Sequence, residues 1–125
     1  MDPGSLRRLL AAACLLPLGV QAQPASCAGF LGAWAGTWSQ GFYGTQWIHV
    51  TEVSPDCIAR VAYNPTGSEV PAWSSEVPVT GGVIEFSCNR GSGGTCRLEL
   101  ADAEMRVRYS EPSGFVNLGV FRKQP

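Results

Sequence analysis

"VIEFSCNRGSGGTCRLELADAEMRVRY" runs from Val83 to Tyr109, and its side chains change character at every second position. Ile84, Phe86 and Cys88 fall on one side of an extended chain. Cys96, Leu98 and Leu100 do so on the next segment, and Met105, Val107 and Tyr109 on a third. Arg97, Glu99, Arg106 and Arg108 stand between them. Successive side chains of a strand point to opposite faces, so the pattern describes antiparallel strands with one dry face and one wet face. The wet face carries arginines and glutamates close enough for modest surface ion pairs. "NRGSG" and "AD" supply the turns between these strands.

The same pattern extends outward in both directions. Short apolar, β-branched and aromatic runs predict eight strands: 33–39, 45–53, 57–64, 73–79, 82–88, 94–100, 103–109 and 115–121. Clusters of Gly, Pro, Asn, Asp and Ser separate them. Eight short antiparallel strands joined by short turns imply an all-β fold, a small up-and-down barrel whose closure removes exposed edges.

The N-terminal segment does not belong to this pattern. Arg7 and Arg8 precede an apolar run from Leu9 to Val20, and Val20 and Ala22 are small residues placed as before a cleavage site. This is the layout of a secretory signal peptide over residues 1–22, leaving one domain over 23–125. The apolar run is too short for a membrane span, and none is expected in the mature chain. The expected destination is the bacterial periplasm or the extracellular space.

Beyond the leader remain Cys27, Cys57, Cys88 and Cys96, an even set in an exported chain, which reads as two disulfides. Strand order selects the pairing. Cys88 ends the fifth strand and Cys96 begins the sixth, so their hairpin joins them. Cys27 precedes the first strand and Cys57 follows the second, so antiparallel pairing joins those. The remaining charges are seven basic and nine acidic, with Lys123 the single lysine. That balance disfavours nucleic acid and anionic membranes as partners.

No motif for hydrolysis, phosphate binding or a structural metal is present, and no cofactor is expected. "RGSGGT" (90–95) lacks the lysine and the helix of a phosphate loop. His49 is the single histidine and reads as a strand surface residue. Glu52 and Glu85 could be proposed as a hydrolytic carboxylate pair, but nothing in the sequence relates their positions.

Three of the four tryptophans, Trp34, Trp38 and Trp47, lie in "GAWAGTWSQGFYGTQWIHV" (32–50). Gly36-Thr37-Trp38, with Gly32-Ala33-Trp34 matching in form too, followed by "TQWIHVTEV" and "ARVAY", resembles the opening of the calycin barrels, the lipocalin and avidin group. It is also similar to lipocalin-like modules exported by bacteria. In lipocalins the tryptophan of a Gly-x-Trp seals one barrel end, and a basic residue after the last strand covers it. The resemblance therefore implies a structural pair of Trp38 and Arg122, with Lys123 beside it. Biotin binding does not carry over, because avidin's polar contacts have no counterparts here.

The expectation is a non-enzymatic exported barrel that binds a small molecule, a glycan or a partner protein. The alternative is a secreted or periplasmic inhibitor acting through the loop 64–75. Trp73, which follows the proline-rich loop, together with Trp47 and Tyr43, forms the candidate binding set. If Ile48 and Val50 are core, Trp47 and His49 face solvent or a groove.

Overall fold

The computed structural model describes residues 27–41, 44–64 and 66–125. The proposed leader, Tyr43 and Pro65 lie outside the described residues. Eight strands follow in chain order: β1 (Gly32–Trp38), β2 (Gln46–Val53), β3 (Ile58–Tyr63), β4 (Trp73–Pro78), β5 (Val83–Asn89), β6 (Gly94–Ala101), β7 (Glu104–Ser110) and β8 (Val116–Lys123). Every pairing is antiparallel, in the order β4-β3-β2-β1-β8-β7-β6-β5. The first and last strands of the chain pair with each other, and the sheet curls into a nearly closed barrel.

The seam falls between β4 and β5, two strands joined by a tight hairpin. Gly81 and Gly82 take φ of 60° and 77°, the left-handed pair that a two-residue hairpin turn requires. Thr80 and Val83 pair across it, each N–H donating to the other's carbonyl. Two residues back, Pro78 occupies the next position whose N–H should face β5, and proline has none. The N–H of Val79 points the other way, to the carbonyl of Cys57 at 2.8 Å. The ladder therefore stops after one bridge.

The inward phase matches the alternation in sequence. Ile84, Phe86 and Cys88 on β5, Cys96 and Leu98 on β6, and Met105 and Val107 on β7 are all buried. Both disulfides, Cys27–Cys57 and Cys88–Cys96, pair as the strand order requires. The first pins the N-terminal turn to the β2–β3 connection. In the second, a bulge at Cys88 brings it beside Cys96.

The turn from Cys27 to Leu31 closes one end of the barrel. Phe30 is fully buried there, and the Trp34 indole N–H donates to its carbonyl at 2.9 Å. Trp34 is 3% exposed. The Lys123 ammonium lies 5.2 Å from its ring centroid, within cation–π range. This corrects the expected pair: the tryptophan at the sealed end is Trp34 and the covering cation is Lys123. Arg122 instead forms a surface ion pair with Glu104 at 2.7 Å. Strand phase explains the exchange. Lys123 stands opposite Trp34 in the β1–β8 register, whereas Arg122 stands opposite Ala35.

Candidate functional site

The two tryptophans of β1 share the inner face but not the same level. Between them lies Gly36, and a Cβ built there would collide with the backbone of Val120 and Phe121 and with the Phe121 ring. Phe121 fills that space, separates the two levels, and meets Trp38 edge-on at 5.7 Å. Four residues of strand place Trp38 about 13 Å further along β1 than Trp34, which the tilt of a barrel strand reduces to about 10 Å along the barrel axis. Below Phe121 the interior is filled by the buried side chains of Ile84, Leu98, Met105, Val50 and Val61. Above it the interior opens.

This open half is a cavity of about 470 Å³. It lies at the end where β1, β3, β5 and β7 finish and the even-numbered strands begin. Phe121, Ile48 and Phe86 form its floor with the Cys88–Cys96 disulfide, and Trp38, Tyr63, Tyr109 and Phe115 form its wall. The volume falls within the range of small-molecule sites, which are concave and largely apolar. Two further glycines shape it. A Cβ on Gly119 would lie 3.1 Å from the Trp38 ring, and one on Gly94 would collide with Tyr109. Each glycine thus provides the room in which an aromatic ring lies flat against a strand.

Polar groups rim the cavity and are held by one another. Asn117 is buried; its carbonyl accepts from Ser39 Oγ and the Gln40 N–H, and its amide donates to the Gln40 carbonyl. Tyr63 reaches across the seam and donates to the Cys88 carbonyl at 2.8 Å, while its ring meets Phe86. Tyr109 donates to Glu111 Oε2 at 2.6 Å and shares hydrogen bonds with Ser92 and Asn89. The Tyr109 hydroxyl holds the Glu111 carboxyl below its usual range. Burial, and then the hydrogen bond to Glu111, push the Tyr109 phenol up. Burial also raises Tyr63, against an opposing pull from Arg90.

Of the candidate binding residues, Trp47 joins the rim of this cavity. Its ring stacks on His49 at 5.9 Å on the outer face of β2. Trp73 is 51% exposed at the start of β4, opposite Tyr63 at the seam, and does not line the cavity. The loop before it is tied down. His49 Nε2 hydrogen-bonds the Glu69 carbonyl at 2.9 Å, and Asn64 bonds the Val70 carbonyl and Thr66. His49 is therefore the tether of the loop rather than an independent group. Glu52 pairs with Arg60, which also pairs with Glu76. Glu52 and Glu85 are exposed on β2 and β5, strands that do not pair with each other. Among the described residues no cluster of His, Cys, Asp or Glu could hold a metal. No helix among them is long and apolar enough to cross a membrane.

Glu111, Phe115 and Asn117 line the cavity without belonging to the expected binding set, and Tyr109, in phase with the core row of β7, lines it as well. A signal for the open end was present. Gln46 is in phase with Ile48 and Val50, and Asn117 is in phase with Gly119 and Phe121. A polar side chain at the end of an inward row marks where that row leaves the dry core.

Comparison with family models, curated proteins and solved structures finds no match for this chain.

Proposed function

We propose that this protein is an exported, non-enzymatic binding protein that holds a small ligand in the open half of its barrel. The observation that carries the reading is the division of the interior into a filled half and an aromatic cavity of about 470 Å³. A barrel serving only as a scaffold gains nothing from leaving half its core open, because interiors otherwise pack to crystal-like density. Export is supported by the two disulfides, which persist in oxidising compartments. The eight-stranded architecture also fits kinship with the calycins.

The interaction reading has one observation in its favour: Val70 and Trp73, 71% and 51% exposed, stand near each other where the loop enters β4. Its weakness is that the loop is bonded down on the barrel wall.

Titration with the apolar fluorescent probe N-phenylnaphthylamine separates the two. Saturable binding is expected to survive Trp73→Ala and to be lost in Ile48→Trp, which fills the cavity floor. Binding lost with Trp73→Ala and kept in Ile48→Trp would move the site to the loop.

A further inference from the structure

We propose that the cavity selects a small organic cation, an ammonium with apolar substituents, over a neutral or anionic ligand of matched shape. This rests on the reading that the cavity holds a ligand.

Three features of the wall point to that chemistry. First, it is rich in aromatic rings. Trp38, Tyr63, Phe86, Tyr109 and Phe115 surround the space, and an aromatic face attracts a cation through its quadrupole. Second, its side-chain amides and tyrosine hydroxyls are already engaged. The amides of Asn117 and Asn89 are held by Ser39, Gln40 and the 89–92 turn. Gln40 donates to the Val116 carbonyl, and the two tyrosine hydroxyls serve Cys88 and Glu111. Gln46 is partnered as well. A sugar, which needs several unspent donors and acceptors, finds few here. Third, Glu111 is the one charged side chain lining the cavity among the described residues. Its oxygens accept from Tyr109 and Ser113, neutral donors that leave its charge in place. Among the described residues it forms no ion pair.

The carboxylate therefore places a negative charge beside a set of aromatic rings, with no cation among the described lining residues to receive an acid. Arg90, in the turn after β5, is the opposing charge at this end and acts on Tyr63. It stands outside the lining.

The test is calorimetric titration of the disulfide-bonded protein with three probes: benzyltrimethylammonium, its neutral carbon isostere neopentylbenzene, and phenylacetate. The ammonium is expected to bind about tenfold more tightly than phenylacetate, and more tightly than the isostere. Glu111→Gln keeps an acceptor for Tyr109. It should weaken the ammonium about two- to fivefold while moving the isostere less than about 1.5-fold. Arg90→Gln should strengthen the ammonium. Binding of the isostere or phenylacetate as tight as the ammonium would overturn the charge preference and leave the cavity reading standing. So would an ammonium affinity unmoved by Glu111→Gln. Failure of all three probes to bind would remove the cavity reading and this inference together.

Discussion

Trp34 and Trp73 mark the two extremes of what a tryptophan contributes here. Trp34→Ala should cost about 3–5 kcal/mol in denaturant melts, the range for deleting a buried aromatic side chain. Trp73→Ala should change stability by about 0.5 kcal/mol or less, as exposed substitutions do. Comparable losses at both would mean that Trp73 is packed and that the loop carries part of the core. The Tyr109–Glu111 bond makes a second prediction at this scale. The Glu111 pKa is lowered on folding, so its contribution is complete above the ordinary value of 4.5 and fades as pH falls through the folded value. The Tyr109 pKa is raised, so its contribution is complete below 10.0 and fades as pH rises through the folded value. The stability difference between wild type and Tyr109→Phe should therefore be flat between those limits and shrink outside both. A difference that shows no pH dependence would mean the hydroxyl and carboxylate are not coupled.

The strands differ in how firmly they are held, and the seam is the reason. β1, β2, β3, β6, β7 and β8 each have two neighbours; β4 and β5 have one apiece, because Pro78 ends their ladder after a single bridge. Native-state hydrogen exchange should find the slowest amides in β1, β7 and β8, and faster ones along the seam edge of β4. Equal protection in β4 would mean the seam is closed in solution. The disulfides act on elements in the same way. Cys27–Cys57 closes a separation of 30 residues and Cys88–Cys96 one of 8. Chain entropy assigns them about 3.6 and about 2.5 kcal/mol, so paired Cys→Ser replacement should be costlier at the closed end.

Across the whole molecule, Phe121 is the partition between packed interior and open cavity. Phe121→Ala should cost about 3–5 kcal/mol and extend the cavity down toward Trp34. Bulkier apolar probes should then bind the variant more tightly than they bind the wild type. Loss of stability without any change in probe size preference would show that the lower core collapses into the vacated space. The charges are divided along the same axis. The ion pairs of Arg60 and Arg122 lie on the outer wall, and Glu111, at the mouth, forms no ion pair among the described residues.

Strand number, phase and disulfide pairing were legible in the sequence, because each follows from local rules. Alternation at Ile84–Cys88 or Met105–Tyr109 sets a face without reference to any other strand, and two cysteines flanking one hairpin can reach only each other. The site was less legible. Period two places Trp34 and Trp38 on one face but carries no information about height along the barrel. Which of them seals the end depends on where the Cys27–Leu31 turn folds and on which of Arg122 and Lys123 stands opposite in the β1–β8 register. The ladder joining the chain's two ends is likewise a long-range contact, and it alone brings Phe121 over Gly36. Glu111 enters the cavity only because Tyr109, read from its phase as core, lies at the upper level and turns its hydroxyl outward to it. Local chemistry determined the barrel; tertiary closure decided which half of it stayed open, since an empty volume is a property of all the strands together and of no one of them.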